Sequence, residues 1–296
     1  MTAFAPVDNE ASEYEIEFTM SKRPVAPLDK APPLQGLQPL TSLSKGLKVL
    51  LRLREATEPM SLSEISRTLG LNKVTVLRLL ITLEKFRFVE RDPQQKKYRI
   101  GSNAFYVGSG FIAEGKQKKI FQVMVRLVRD LKHTITLSVL DGSSVLFVER
   151  VDGTERVKVT VDIGSRVPAY SSAAGKAMLS ALTDQEIRER LKRTKFQRVT
   201  SKTLTSIERI LARIHKVRDS GFATNDEEST PGLFAIAVPL KDQAGATFAG
   251  LGVAFPTGVL NTKEEQKKVA RRLWKAAEEI KTFGGTTPGE ISSMAS

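Results

Sequence analysis

The sequence predicts an α+β fold in which a small helical domain precedes a larger domain with a mainly antiparallel sheet. At 296 residues, the chain is longer than one hydrophobic core usually accommodates, so two domains are expected. From residue 42 to residue 86, apolar residues recur at helical spacing. Beyond residue 133, alternating strand-like segments are interleaved with amphipathic helices, which indicates a second domain of different construction.

The two ends of the chain differ in composition from its middle. Residues 1–40 hold six of the 13 prolines and show no persistent periodicity, which indicates a disordered arm. The expected segments are the disordered arm (1–40), a helical domain with a hairpin (41–101), a linker helix (102–117), a larger α+β domain (118–284) and a flexible tail (285–296).

Composition excludes several classes of protein. No stretch approaches the roughly 20 apolar residues of a membrane span, and the acidic N-terminus lacks the features of a secretory signal. We therefore expect a cytoplasmic protein that does not contact a membrane. The absence of cysteine excludes disulfides, zinc–thiolate sites and thiol nucleophiles. Only His133 and His215 offer imidazole and neither belongs to a visible triad, so we expect no catalytic residue, metal or cofactor.

The positive charge of the chain is unevenly distributed. The formal net charge is +13, and residues 41–101 carry 13 Lys or Arg against six Asp or Glu, hence +7. Binding to a polyanion would explain this excess, because each phosphate that Lys or Arg neutralises releases condensed counterions. A basic surface that merely keeps the protein soluble is the alternative, and charge alone does not decide between them.

The helical domain carries the start and stop signals of three helices. The first helix is amphipathic and ends near residue 59. Ser61 and Glu64 predict a capping box for the second helix, which ends at Gly70 in a left-handed turn. Asn72 caps the third helix. The inward stripe of the third helix is Val76, Leu79, Leu80 and Leu83.

A capped short helix, a glycine turn and a second capped helix are typical of a helix-turn-helix, and segments 88–91 and 97–100 predict a two-stranded wing. In this motif the third helix lies in the DNA major groove. Arg78 can present paired donors to guanine, and Lys73 suits a phosphate. The outward residues that can meet a thymine methyl are Val74, Thr75 and Leu77. The wing cations, which suit backbone contacts, are Arg91, Lys96, Lys97 and Arg99.

Residues 41–284 resemble the IclR family of bacterial transcription regulators. The resemblance is carried by SLSEISRTLGLNKVTVLRLLITLEKFRFVERD (61–92), IGSRVPAYSSAAGKAML (163–179) and GFATNDEESTPGLFAIAVPL (221–240). It implies a winged helix-turn-helix that binds double-stranded operator DNA, a GAF-like effector domain that senses a small molecule, and control of catabolic genes. It also implies a homodimer or a dimer of dimers, to which apolar spacing in the linker helix and the first helix would contribute.

The larger domain contains candidates for both kinds of element. The strand candidates are 134–141, 144–152, 156–163, 233–241 and 246–255. The helix candidates are 117–132, 172–182, 184–193, 204–219 and 262–282.

The resemblance implies an effector site between the sheet and the helix at 172–182. Ser172, Ala173 and Ala174 begin this helix, and free backbone amides at a helix N-terminus favour an anion such as a carboxylate. Small residues here could equally serve close helix–sheet packing, and the sequence leaves both readings open. Leu233 is also expected at the site.

This chain departs from family members that bind small keto-acids. The resemblance aligns their acidic residue with Asn225, and their hydroxyl or thiol side chains with Ala235, Gly252 and Ala254. Fewer polar partners and more volume would leave a small polar acid poorly satisfied. We therefore expect a larger and more apolar effector, such as an aromatic acid, with its carboxylate at the Ala173 and Ala174 amides.

Two further sequence patterns are candidates for binding sites. Ala174, Gly175 and Lys176 resemble the end of a phosphate-binding loop but lack its first glycine and magnesium-binding hydroxyl. Residues 226–228 could bind a cation, although a solvated or helix-orienting role is favoured.

A DNA-binding module attached to an enzyme would need a general base and a nucleophile, which the sequence does not show. A nucleic-acid binder with a ligand-free C-terminal domain would bind DNA without sequence preference.

Overall fold

The computed structural model describes residues 17–19, 39–109, 116–155 and 158–283. The described residues divide into two compact units, an N-terminal unit that ends at Lys118 and a C-terminal unit that begins at Lys119 and also includes residues 17–19. Most of the predicted arm, residues 110–115 of the predicted linker helix and the predicted tail at 285–296 lie outside the described residues.

A short strand, β1 (Glu17–Thr19), lies within the segment for which the sequence shows no strand periodicity. It pairs in parallel with a strand at Lys158–Thr160, and Phe18 is opposite Val159. Three residues are too few to produce a recognisable alternation, so a strand that depends on a distant partner escapes prediction.

The N-terminal unit contains the three predicted helices and a small antiparallel sheet. The order of strands in this sheet is β2-β4-β3, so the predicted two-stranded wing gains a third strand. The elements are α1 (Thr41–Glu55), β2 (Met60–Ser61), α2 (Leu62–Leu69), α3 (Lys73–Lys85), β3 (Val89–Arg91), β4 (Lys97–Ile100) and α4 (Ser102–Ser109).

The helix caps and the glycine turn that the sequence predicts for α2 and α3 are present. The Glu64 N–H donates to Ser61 Oγ at 3.3 Å, and the Ser61 N–H donates to Glu64 Oε2 at 2.7 Å, which completes the capping box. Gly70 has a φ of 63°, so the chain reverses in the left-handed region that favours glycine. Asn72 Oδ1 accepts from the Thr75 N–H at 2.7 Å and caps α3. The helix-turn-helix is thus fixed by interactions within a few residues.

The core of this unit lies between the three helices and the wing. Val76 and Leu80 are buried as predicted, and Leu79 and Leu83 are partly buried against the same cluster. From α1, however, Val49 and Leu53 are the side chains that enter the core. Leu43, Leu47 and Leu51 are exposed instead, although their helical spacing in the sequence is that of the apolar face of an amphipathic helix.

The C-terminal unit is built on a six-stranded sheet of order β8-β6-β5-β11-β10-β9, in which every neighbouring pair is antiparallel. The strands after β4 are β5 (Ile135–Asp141), β6 (Ser144–Val151), β7 (Lys158–Thr160), β8 (Arg166–Pro168), β9 (Ala223–Asp226), β10 (Leu233–Lys241) and β11 (Thr247–Pro256). The helices are α5 (Lys116–Leu131), α6 (Ala173–Leu179), α7 (Asp184–Leu191), α8 (Ile207–Ser220) and α9 (Lys263–Thr282).

Each face of this sheet carries helices. On one face, α5 and α9 pack against the odd-numbered residues of β11, such as Leu251 and Val253. The even-numbered residues, Gly250 and Gly252 among them, face the other side, because side chains alternate along a strand. On that side, α6 packs close to the sheet, with α7 and α8 in the same apolar cluster. The α+β architecture with an antiparallel sheet is therefore confirmed.

The two edge strands, β8 and β9, are absent from the strand candidates. They are three and four residues long, and β9 contains Asn225 and Asp226, whose side chains disfavour strands. Pairing with β6 and β10 holds them in place, which is tertiary information that local patterns do not contain.

Candidate functional site

The first two turns of α3 expose the residues predicted to read bases. Lys73, Val74, Leu77 and Arg78 are exposed, and Val74 presents 69% of its surface to solvent. Thr75 is half-buried, and its backbone N–H is engaged by the Asn72 cap. An exposed arginine beside exposed apolar side chains can make both hydrogen bonds and methyl contacts in a major groove.

The predicted wing cations do not share one environment. Arg91, Lys96 and Arg99 are exposed, whereas Lys97 is half-buried. Arg99 donates from Nη2 and Nε to Glu90 Oε2, at 2.9 and 3.1 Å, so its guanidinium is already engaged. Arg91 lies over the ring of Tyr98, with 5.8 Å from its guanidinium carbon to the ring centroid.

The tip of the wing is more ordered than the sequence suggests. Asp92 Oδ1 accepts from the N–H groups of Gln94 and Gln95, at 2.8 and 2.9 Å. The same hydrogen bonds, that from Gln95 first, hold the pKa of Asp92 below its usual value. Lys96 follows with a φ of 53°, and its N–H donates to the Asp92 carbonyl oxygen at 2.9 Å, so an exposed lysine ends this turn.

All eight residues of the predicted effector site line one cavity in the C-terminal unit. They are Ser172, Ala173, Ala174, Asn225, Leu233, Ala235, Gly252 and Ala254. The cavity contains about 470 Å³ of atom-free space, part of which is open to solvent. The lining residues that the sequence did not indicate are Thr136, Phe147, Val161, Val167, Ser229, Ile236, Ala237 and Val253. Most of this lining is apolar, as is usual for sites that bind small organic molecules.

The floor of the cavity consists of two rows of residues that run across the sheet. Gly252 is the register partner of both Thr136 and Ala237, which forms one row. The next row joins Ala235 to its neighbours Ala254 and Asn225. Because most members of both rows have small side chains, the sheet backbone is accessible to a ligand at this point.

The N-terminus of α6 supplies backbone donors to the cavity wall. Ser172 Oγ accepts from the Gly175 N–H at 3.0 Å, so Ser172 is the N-cap. The N–H groups of Ala173 and Ala174 have no hydrogen-bond acceptor among the described residues. Unpaired amides at a helix start are suited to an anionic group.

The small residues of α6 serve both ligand access and close packing, but different residues serve each purpose. A Cβ on Gly175 would lie 2.2 Å from the carbonyl oxygen of Ala169, so Gly175 serves packing. A Cβ on Gly250 would lie 3.2 Å from the Ala174 Cβ, which shows how closely the helix approaches the sheet. Ala173 and Ala174, by contrast, border the cavity.

Both polar atoms of the Asn225 side chain make hydrogen bonds to the loop that follows β9. Its Oδ1 accepts from the Glu228 N–H at 2.8 Å, and its Nδ2 donates to Ser229 Oγ at 2.7 Å. Asn225 is only 2% exposed, so the amide expected as the polar side chain of the cavity acts largely as a scaffold. Thr136 and Ser229 are the hydroxyl-bearing lining residues that the sequence did not single out, since only the strand register and the loop bring them here.

A buried ion pair connects α6 with the same loop. Lys176 Nζ donates to Glu228 Oε1 at 2.5 Å, and both side chains are almost fully buried. Arg213 lies on the same oxygen at 3.4 Å. Burial lowers the pKa of Lys176 to about 8, and the nearby Glu228 carboxylate opposes this shift. Lys176 is therefore a buried cation at neutral pH and is not available to a phosphate.

The expectation of a solvated or helix-orienting role for residues 226–228 is wrong for Glu228. Its Oε2 is buried and has no partner among the described residues, and its side chain neutralises Lys176. Asp226 and Glu227 do lie nearer the surface, where both bind Lys202, at 3.0 and 2.7 Å. The partner of Glu228 lies 52 residues away, which no local pattern could reveal.

The remaining titratable groups form no catalytic arrangement in the described part of the chain. His133 packs on Phe255, with 4.5 Å between ring centroids, and burial lowers its pKa. His215 Nε2 lies 2.8 Å from Asp184 Oδ2 at the surface. Within the described ranges, no three His, Asp or Glu side chains are grouped to hold a metal ion, and no helix is long and apolar enough to cross a membrane.

Family models match the sequence of each of the two units. The model of the IclR helix-turn-helix domain matches residues 42–93, and that of the bacterial transcriptional regulator IclR C-terminal domain matches residues 117–282. The chain is 31% identical over 256 residues to the HTH-type transcriptional regulator KdgR of Escherichia coli (strain K12). This match covers 86% of this chain and 95% of that protein.

Solved structures show the same fold. The IclR transcriptional regulator from Alicyclobacillus acidocaldarius matches with a TM-score of 0.73 at 24% identity, covering 84% of this chain and 100% of that one. An IclR homolog from Microbacterium hydrocarbonoxydans, complexed with 4-hydroxybenzoate, matches with a TM-score of 0.71 at 23% identity, covering 82% and 98%. The matches to the two domain models and to KdgR, together with the winged helix-turn-helix and the C-terminal effector domain, show that the chain belongs to the IclR family of bacterial transcription regulators.

Proposed function

We propose that this regulator binds an operator through α3 and the wing, and controls catabolic genes in response to an aromatic carboxylic acid. The apolar cavity against the sheet is the observation that carries the choice of effector. The first part of the proposal rests on the exposed residues of α3, and the second on the residues that line the cavity.

The cavity favours an aromatic acid over a small keto-acid. Its floor has Ala235, Gly252 and Ala254 where hydroxyl or thiol groups would hold a small polar molecule. The side-chain carbonyl oxygen of Asn225 already accepts a hydrogen bond from the Glu228 N–H. A small polar ligand that is buried with few partners is destabilised, whereas an aromatic ring gains from contact with an apolar wall. The complex of the Microbacterium homolog with 4-hydroxybenzoate agrees with this class of ligand.

The unpaired amides of Ala173 and Ala174 are the proposed contact for the carboxylate. They border the cavity and lie at the start of α6, where the helix dipole favours negative charge. The ring would then extend over the two rows of small residues.

The exposed apolar surface of the N-terminal unit supports a homodimer, the state in which two recognition helices address two half-sites. Leu43 and Leu47 on α1 are 58% and 52% exposed, and Phe105 on α4 is 80% exposed. Large apolar side chains exposed on both helices are suited to a protein contact, so a second copy of this unit is the proposed occupant, as a dimer or a dimer of dimers. DNA binding and the absence of a spanning helix in the described residues fit a cytoplasmic location.

Isothermal titration of the full chain with benzoate, 4-hydroxybenzoate, pyruvate and glyoxylate tests the effector. The aromatic acids should bind at least about tenfold more tightly than the keto-acids, a difference of about 1.4 kcal/mol. Tight binding of the keto-acids alone would contradict the proposal.

A matched pair of variants tests the location of the site. Ala254→Leu fills the cavity and should abolish binding of the aromatic acid. Ala244→Leu adds the same side chain to an exposed turn and should leave binding unchanged. Equal effects of the two substitutions would place the acid elsewhere.

A further inference from the structure

Three hydroxyl-bearing side chains follow one another on one face of the segment that contains β5. Thr134 Oγ1 accepts from the Gly153 N–H at 3.1 Å, and Ser138 Oγ donates to the Gly250 carbonyl oxygen at 3.3 Å. Thr136, between them, makes no side-chain hydrogen bond among the described residues, and its Oγ1 is accessible from the cavity. Its side chain is 6% exposed and lines the cavity. A hydroxyl that has no protein partner and is open to a cavity can donate to a ligand or accept from one.

The residue opposite Thr136 explains why this hydroxyl can be reached. Gly252 is its register partner on β11. A Cβ at Gly252 would lie 3.3 Å from Thr136 Oγ1 and 3.6 Å from the Ala237 Cβ. The missing side chain therefore leaves open the space directly beside the hydroxyl.

We propose that Thr136 is a specificity-determining residue of the effector site, and that its hydroxyl binds a polar substituent on the ring of an aromatic acid. The inference rests on the proposed effector function and adds to it a second point of recognition. The carboxylate is bound at the start of α6, and the ring substituent is bound at the sheet.

The spacing of the two polar contacts suits a substituted benzoate. Ala174 lies over Gly250, and Thr136 lies beside Gly252, two residues further along the same strand. Residues two apart on a strand are about 7 Å apart. This is comparable with the separation between the carboxylate and a ring substituent in a hydroxybenzoate.

Titration of the full chain with 4-hydroxybenzoate and benzoate tests the inference. In the wild type, 4-hydroxybenzoate should bind more tightly than benzoate, because only it can hydrogen-bond to Thr136. Thr136→Val, which removes the hydroxyl at nearly constant size, should weaken 4-hydroxybenzoate binding by about 3- to 10-fold and leave benzoate binding nearly unchanged. Thr136→Ser, which keeps the hydroxyl, should retain the preference.

Two further variants separate recognition from general damage to the sheet. Ser138→Ala removes the neighbouring hydroxyl, which does not line the cavity, and should leave the preference intact. Gly252→Ala places a methyl group beside Thr136 Oγ1 and should reduce the preference although the hydroxyl remains. Thermal unfolding of each variant verifies that it is folded.

The possible failures are distinguishable. If the wild type binds neither acid, the proposed function is overturned and this inference with it. If the wild type binds both acids but Thr136→Val changes both affinities equally, or neither, only the role of Thr136 is overturned. Loss of the preference in Ser138→Ala to the same extent as in Thr136→Val would also overturn it.

Discussion

The ammonium group of Lys176 lies 2.5 Å from the carboxylate of Glu228, and the two side chains are 0% and 3% exposed. The pair joins α6, which supplies Ala173 and Ala174 to the cavity, to the loop that supplies Ser229. Removing one partner of a buried pair leaves an uncompensated charge, so the pair holds two walls of the effector site in a fixed relation.

This ion pair predicts an unusual dependence of stability on pH. Burial lowers the pKa of Lys176 to about 8, below the ordinary lysine value of 10.5, so the unfolded chain holds more protons than the folded chain between these two pH values. The contribution of Lys176 to the free energy of unfolding should therefore rise as the pH increases from 8 to 10.5, by up to about 3 kcal/mol. Below pH 8 both states are protonated, and the contribution is constant.

Denaturant unfolding of the wild type and Lys176→Met at several pH values measures this contribution. Below pH 8 the difference in stability between the two proteins should not change with pH, because Lys176 is protonated in both the folded and the unfolded wild type. From pH 8 to 10.5 the stability of the wild type relative to the variant should rise by up to about 3 kcal/mol. Lys192→Met, at an exposed pair with Glu189, is the control and should show no such rise. A gap that does not change with pH would contradict the lowered pKa.

Gly70, which ends α2, and Gly175, in the first turn of α6, should respond differently to substitution by alanine. Gly70 has a positive φ but open space around its Cα, so Gly70→Ala should cost about 1 to 2 kcal/mol through backbone strain alone. In Gly175→Ala, the new Cβ would lie 2.2 Å from the Ala169 oxygen and 2.5 Å from its Cα, so backbone must move.

Thermal unfolding and titration with 4-hydroxybenzoate together separate these two cases. Gly175→Ala should lower the stability by more than Gly70→Ala and should weaken effector binding, because the start of α6 is displaced. Gly70→Ala should leave effector binding unchanged, since it lies in the other unit. Equal losses of stability with unchanged effector binding would show that the contact at Gly175 relaxes freely.

The ion pair between Arg99 and Glu90 should limit the affinity for DNA. Both groups are well exposed, so the pair contributes roughly 0 to 1 kcal/mol to folding. Glu90→Gln should free the guanidinium for a phosphate, raise the affinity for all DNA sequences several-fold, and steepen the salt dependence by about 0.9 in log–log slope.

Fluorescence anisotropy on random duplex DNA over a salt series measures this effect. Glu84→Gln is the matched control, because it makes the same change of charge at an exposed position of α3 that has no ion pair among the described residues. If Glu84→Gln increases the affinity and the slope as much as Glu90→Gln does, release of Arg99 is not the cause.

The features of this molecule that were predictable from the sequence are those in which the interacting residues are close together in the chain. The caps at Ser61 and Asn72 involve partners three residues away, and both were predictable from residue types alone. The lining of the cavity by Asn225 required the family resemblance. Thr136 was not predictable, because it reaches the cavity only through its register with Gly252, 116 positions later. Arg99 was predicted as a contact to the DNA backbone, and its ion pair with Glu90 was not predictable, because neither strand by itself shows the hairpin register that places the two residues opposite each other.

The assignment of Arg78 as a base reader leads to the last prediction. Arg78 is exposed in the second turn of α3, where a bidentate contact with guanine is possible. Arg78→Ala should cost about 1 to 3 kcal/mol on an operator obtained by in vitro selection, and should relax the preference at one base position. Lys97→Ala should instead weaken all sequences alike and reduce the salt slope. Anisotropy titrations with the selected operator, its single-base variants and random DNA distinguish these outcomes. If Arg78→Ala weakens selected and random DNA equally, Arg78 contacts only the backbone, and base reading must come from other exposed residues of α3.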